Sequence, residues 1–176
     1  MLSKKRTALI AVAKDESAYI HEWIHHHLYF HFDYIYIGIN RTSDKTEQLV
    51  QLISNGYPNV KFLPVDWIDQ ISIGPTHEMQ RATYAYLTQV ASKESDPDYF
   101  MYLDIDEFWF STRHDSIADF ILSKENFDIV SFHWLNQDAE REAFNPPFKD
   151  VFYSYNPHVT SMISKCDVQA GSCRSH

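Results

Sequence analysis

Strand-like and helix-like segments alternate three times within the first hundred residues, and no other feature constrains the fold of this chain as strongly. Thr7–Ala13 (TALIAVA) is a short apolar run cut off by charge, the pattern of a strand buried on both faces. Ser17 to about His31 spaces Ile20, Trp23, Ile24, His27 and Leu28 as one face of an amphipathic helix. Asp33–Ile39 is β-branched and aromatic, a second strand. Asp44 with Glu47 reads as an N-cap and its returning carboxylate, opening a helix that runs to the Asn55-Gly56 stop. Val60–Val65 is a third strand, Thr76 to Ser92 a third helix, and Tyr99–Leu103 a fourth strand. A short helix (Ser116–Ser123), a strand (Phe127–Trp134), a polar loop (Asn136–Lys149) and a last strand (Val159–Lys165) complete the expectation. Such alternation favours an open α/β sheet, mostly parallel, with right-handed crossovers and helices on its faces. Ligands of such sheets bind beyond the carboxyl ends of the strands, where the strand order reverses. Three segments are thereby expected at one rim: Lys14-Asp15-Glu16, Asn40 to Asp44, and Asp104-Ile105-Asp106.

Composition narrows the possibilities further. With 176 residues, 44% hydrophobic and 15% aromatic, the chain can bury one core, which excludes intrinsic disorder and predicts a single domain. The net charge of −9 leaves no basic stripe to displace counterions, so nucleic acid is not an expected partner. That charge is localised: Lys93 to Asp150 carries the whole acidic excess, and the rest of the chain is balanced. No stretch approaches the ~20 apolar residues of a bilayer span. The apolar run Ala8–Ala13 is too brief for the core of a signal peptide. The expected location is cytoplasmic, with room for a peripheral membrane association. In that compartment the two cysteines, Cys166 and Cys173, are expected as free thiols.

The chemistry concentrates at the end of the fourth strand. Residues i and i+2 of an extended chain project to one side, so Asp104 and Asp106 are expected to present two carboxylates to one face. Close carboxylates repel unless a cation or proton lies between them. Mg²⁺ or Mn²⁺ is held by few protein oxygens and completes its shell with substrate phosphates. Taken alone the motif equally suits a strand end with solvated acids.

In its context, Phe100-Met-Tyr-Leu-Asp104-Ile-Asp106-Glu107-Phe108 resembles the metal-binding motif of GT-A-fold glycosyltransferases, in the family 2-like branch that reads Asp-x-Asp-Glu-Phe. Lys14-Asp15-Glu16, Glu22-Trp23-Ile24 with His27, Ser43 to Thr46 with Asp44, Gln80, and Phe132-His133-Trp134 match in order, so the resemblance covers about Thr7 to Trp134. It implies a Rossmann-like GT-A domain. The nucleotide-sugar-binding part would span about residues 7–110, and the acceptor-side part about 111–176. It further implies a nucleotide-sugar donor, expected to be UDP-linked, and a glycan or lipid-linked saccharide acceptor in polysaccharide biosynthesis. Carried over, Lys14, Asp15, Glu16, Asn40, Ser43, Asp44, Gln80 and Asp104 would line the donor pocket. Asp104 and Asp106, with His176 as a third ligand, would hold Mn²⁺ or Mg²⁺ to neutralise the departing diphosphate. Asp138, with Glu140 and Glu142 as rivals, would be the base that takes the acceptor proton. Two positions depart from the pattern: Asp15 stands where Asn is usual, and Asn40 where Asp is usual.

Two other readings compete. His21-Glu22-Trp-Ile-His25, with His31 beyond, has the spacing of a helical zinc site with a glutamate base, and so of a zinc hydrolase. Leu28 stands where such sites need glycine, and Trp23, Ile24 and Leu28 claim the helix for the core; His27 on that face is expected to be an interior histidine. The non-enzymatic alternative is a truncated GT-A domain that binds nucleotide without turnover.

Overall fold

The computed structural model describes residues 5–70, 76–124, 127–137 and 153–165. Asp138, Glu140, Glu142, Cys166, Cys173 and His176 lie outside the described residues. In chain order the elements are β1 (Thr7–Ala13), α1 (Ile20–Tyr29), β2 (Tyr34–Ile39), α2 (Thr46–Gly56), β3 (Val60–Pro64), a 3₁₀ turn (Asp66–Gln70), α3 (Thr76–Glu94), β4 (Tyr99–Tyr102), α4 (Ile117–Leu122), β5 (Ile129–Gln137) and β6 (Tyr153–Ser164). They form one six-stranded sheet in the order β3-β2-β1-β4-β6-β5. β1 lies parallel to both β2 and β4, and β2 parallel to β3. β6 returns antiparallel to β4 and pairs antiparallel with β5, so the expected α/β, mostly parallel sheet flanked by helices holds.

The period-2 alternation of β1 builds a core on each face. Leu9, Ala11 and Ala13 join Trp23 and Ile24 of α1, Val50 of α2, and Ile117 and Ile121 of α4 on one side. Ala8 and Ile10 join Tyr36, Phe100, and Leu87 and Ala91 of α3 on the other. Gly38 in β2 sets the height of α3. A Cβ there would lie 3.0 Å from Thr83 Cγ2, 3.2 Å from Leu87 Cδ1 and 3.3 Å from Val65 Cγ2. Only a residue without a side chain lets the helix lie this close to the sheet.

Boundaries differ where local hydrogen bonding outcompetes propensity. α1 starts at Ile20 rather than Ser17, because the amides of Tyr19 and Ile20 both turn back to the carbonyl of Glu16. It ends at Tyr29, and His31 stands at φ 61° beyond it. Asp44 is not an N-cap: α2 begins at Thr46 with Lys45 in the cap position and no side-chain cap bond. Pairing between β5 and β6 extends both strands past the expected ends, across a register shift between His133 and Trp134. β4 is one residue shorter than expected and stops at Tyr102.

Candidate active site

β1 runs between β2 and β4, so the chain leaves it toward α1 and β2 on one side while β4 closes the other. That is the point where strand order reverses. Ile10 pairs with Tyr102, and the amide of Leu103 still donates to the carbonyl of Ile10 at 3.2 Å. The acidic motif therefore starts beside the last residues of β1, below the loop that carries Lys14, Asp15 and Glu16. Asn40 follows β2 on the far side, and its amide donates to Ala13 O at 3.0 Å. The three segments expected at one rim are brought together there.

The loops after β1 and β2 are laced by hydroxyls. Asp15, at φ 57°, accepts from the Ser43 amide at 2.6 Å and its hydroxyl at 3.0 Å. These bonds, the Ser43 amide first, hold the Asp15 carboxyl below its usual range. Asp44 Oδ1 accepts from Thr42 Oγ1 at 2.7 Å, Thr46 N at 2.8 Å and Thr46 Oγ1 at 2.5 Å, and its Oδ2 accepts from Ser17 N at 2.9 Å. Desolvation pushes the Asp44 carboxyl up, but bonds from Thr46, Ser17 and Thr42 outweigh it and hold the group far below the carboxylate range. Thr46 Oγ1 meanwhile accepts from the Glu16 amide at 2.7 Å. Ser43 and Asp44 thus shape the β1 loop. Asn40 Nδ2 lies 3.5 Å from Asp69 Oδ1, and Arg41 Nε pairs with Asp69 Oδ2 at 2.8 Å, tying this corner to the 3₁₀ turn. Lys14 is exposed at the head of β1.

α3 supplies the second half. Gln80 and Tyr84 share one helix face at i and i+4, and both reach Asp104 Oδ1, Gln80 Nε2 at 2.8 Å and Tyr84 Oη at 3.0 Å. Gln80 therefore orients the carboxylate that it was expected to accompany in the pocket. Burial and the Asp104 charge push the Tyr84 phenol up, which keeps it a donor. Glu107 bends back so that Asp104 N donates to its Oε2 at 3.1 Å. Burial, reinforced by the charges of Asp104 and Asp106 against that hydrogen bond, pushes Glu107 up to about 7. Glu16 is raised too, by burial first and then by Asp106, Asp44, Asp104 and Asp15. Carboxylates from all three loops therefore face one another.

The alternation expected to aim Asp104 and Asp106 together is replaced by a turn. β4 has ended, Ile105 is buried, and the two aspartates stand exposed on either side of it. Among the described residues, no three His, Cys, Asp or Glu side chains form a metal-holding group. The ligands that the zinc reading needs are not assembled there. His21, Glu22, His25 and His31 do not converge; instead His25 Nδ1 donates to His21 O at 2.7 Å and the His25 ring meets Tyr57 edge-on. Asp104 and Asp106 have no third ligand among the described residues. Their all-oxygen donor set still fits a hard cation that takes one or two carboxylates and leaves the rest of its shell to phosphate. Tyr84 and Glu107 are the site residues that sequence reasoning missed. Tyr84 could have been found from its i+4 spacing to Gln80, and Glu107 from its place inside the motif.

A family model described as beta-1,4-N-acetylgalactosaminyltransferase (CgtA) matches residues 27–148. Among curated proteins none matches. The mannosyltransferase PcManGT from Pyrobaculum calidifontis, solved with GDP-Man and Mn²⁺, has a similar fold (TM-score 0.50, 13% identity, 73% of this chain and 35% of that one). Lower similarities are to S. aureus TarS (TM-score 0.40, 16% identity, 58% of this chain and 17% of TarS) and to TarS 1–349 in complex with UDP (TM-score 0.41, 19% identity, 58% and 28%). The chain thus spans from 17% to 35% of the lengths of these proteins. The family match runs from the end of α1 through β5 and so takes in β2, α3, β4 and the acidic motif; with a sheet of GT-A type beneath that motif, this chain belongs to the CgtA glycosyltransferase family.

Proposed function

We propose that the rim over β1, β2 and β4 binds a nucleotide-sugar donor, UDP-linked, and that the chain transfers the sugar to a hydroxyl of a glycan or lipid-linked saccharide. The observation that carries this reading is the gathering of Glu16, Asp104, Asp106 and Glu107 from two loops at the strand-order reversal, where burial first and like charges after it raise Glu16 and Glu107. Such a site is matched to a ligand that brings positive charge, and a donor diphosphate arriving with Mn²⁺ or Mg²⁺ does so. PcManGT, of like fold, was solved with a sugar nucleotide and Mn²⁺, which supports the same pairing here. The description of the matching family makes N-acetylgalactosamine the first sugar to test.

In this reading Asp104 and Asp106 would hold the cation, which when bound would supply positive charge against that on the departing nucleoside diphosphate. Gln80 and Tyr84 keep the Asp104 carboxylate turned to its task. Asp15 and Asp44 tie the β1 and β2 loops together beside the space that the nucleoside would enter. Lys14, Glu16, Asn40 and Ser43 border that space. Asp138 is proposed as the base for the acceptor hydroxyl and His176 as a further cation ligand.

Calorimetric titration of UDP with and without Mn²⁺ tests the core of the reading. The parent chain is expected to bind UDP more tightly when Mn²⁺ is present, and Asp106→Ala to lose that gain while unfolding at the parent's urea midpoint. Equal Mn²⁺ dependence in the two proteins would overturn the assignment. Hydrolysis or transfer of UDP-N-acetylgalactosamine by the parent separates an enzyme from a binding domain without turnover.

A further inference from the structure

Three side chains on one face of α1 grip the main chain immediately after the acidic motif. Trp23 Nε1 donates to Glu107 O at 2.8 Å, and His26 Nε2 donates to Trp109 O at 2.7 Å. His27 Nε2 accepts from Trp109 N at 3.2 Å. The second nitrogen of His27 donates to Trp23 O at 2.8 Å, which fixes its tautomer within the buried helix face. Trp23 and His27 are both 0% exposed. Phe108 lies between the grips, with its ring edge-on to His26 at 5.0 Å and stacked on His27 at 6.1 Å. On the other side of the motif, Leu103 is pinned to β1. Asp104, Ile105 and Asp106 are thus a short span held at both ends, by β1 and by α1.

Asp104 and Asp106 stand exposed on either side of buried Ile105, and in a free turn both carboxylates would sample many orientations. Restraint at both ends removes that freedom before any ligand arrives, which lowers the ordering cost of binding. We propose that Trp23, His26 and His27 are positioning residues for the donor site: by fixing the main chain of Glu107–Trp109 they hold Asp104 and Asp106 in the orientation that accepts a diphosphate together with a divalent cation. The grip is made to main-chain atoms, so it acts on the path of the loop rather than on any one of its side chains. This rests on the donor reading above.

The test is a titration of Mn²⁺ at saturating UDP, with urea denaturation of every variant alongside. His26→Ala removes the donor to Trp109 O, whereas His26→Gln keeps an N–H at about the reach of Nε2. Trp23→Phe deletes the single N–H to Glu107 O and retains a ring. Loss of an outer partner bonded to a metal ligand costs about 10- to 100-fold in affinity; these bonds act one step further out, on the main chain after Asp106, so His26→Ala and Trp23→Phe are each expected to weaken Mn²⁺ severalfold, up to about tenfold, and His26→Gln to recover most of the loss. His26→Ala and Trp23→Phe both binding Mn²⁺ as the parent does would overturn the proposal. So would equal losses in His26→Ala and His26→Gln, because that pattern follows from packing rather than from the hydrogen bond. If His26→Ala does not fold, Trp23→Phe and His26→Gln decide: parent-like binding in Trp23→Phe overturns the proposal, and weakened binding in it with recovery in His26→Gln supports it. Absence of Mn²⁺-dependent UDP binding in the parent is a different failure, since it overturns the donor reading and the proposal with it.

Discussion

Asp104 shows how little of a residue's task its own identity decides. Its carboxylate takes two side-chain donors from α3, and its amide and carbonyl are both engaged with Glu107. Tyr84→Phe removes one donor and keeps the ring that packs near Tyr102. A partner of this kind is worth about 10- to 100-fold, so the variant is expected to bind Mn²⁺-UDP about tenfold more weakly with little change in stability, as calorimetry and urea denaturation will show. His27 has consequences for pH. Burial first, with the neighbouring His26 adding to it, pushes the imidazole down to about 3, against a bond to Trp23 O that raises it. Between about 6.5 and about 3 the unfolded chain takes a proton at this position and the folded chain does not, so stability falls as pH drops through that window. His27→Gln is expected to give a shallower acid limb in urea midpoints measured between about pH 6.5 and 4.

At the scale of elements, the site depends on the height at which α3 lies over the sheet. Gly38 meets Thr83 and Leu87 of that helix, a turn or two along from Gln80 and Tyr84. Gly38→Ala places a methyl group at 3.0 Å from Thr83 Cγ2, and the helix must rise by a few tenths of an ångström to admit it. Overpacking of this kind costs about 1–3 kcal/mol. The variant is expected to lose about that much in urea unfolding and also to bind nucleotide more weakly, because the same shift withdraws Gln80 and Tyr84 from Asp104. A loss of stability with parent-like binding would show that α3 absorbs the methyl without moving its first turns. The two loops opposite are stiff for another reason: Asp44 accepts from both of them, and Thr46 relays the Glu16 amide onto it.

For the molecule as a whole, the carboxylates at the rim make ligand binding and stability one question. A ligand that binds only the folded state at about 100 times its dissociation constant adds about 2.7 kcal/mol. For a chain of this length that is about 5–10 °C in melting temperature. Mn²⁺ and UDP together are expected to raise the melt by that order, UDP alone by much less, and the two together to leave Asp106→Ala where it was. The layout of β1, α1, β2, α2 and β3 was legible in the sequence because those runs carry their period and their stop signals locally. The rim was legible as well, since strand order and strand ends place Asp15, Asp44 and Asp104 without any knowledge of side-chain packing. Gln80 was legible as a member of the site and Glu107 as a member of the motif, neither in its role, and Tyr84 and the grip of α1 on Glu107–Trp109 were not read at all. Those features join residues 20 to 84 positions apart in the chain, or depend on a turn that replaces the expected extended end of β4. The histidine run makes the same point in reverse: its spacing was that of a zinc site, and burial against Trp109 and Phe108 made His26 and His27 supports for the acidic loop instead. By itself the sequence determined which segments are strands and helices and which acids stand at the strand ends, because periodicity and charge act over a few residues. Only the tertiary structure decided which of those acids meet and what restrains them, because proximity across the sheet is set by packing and register.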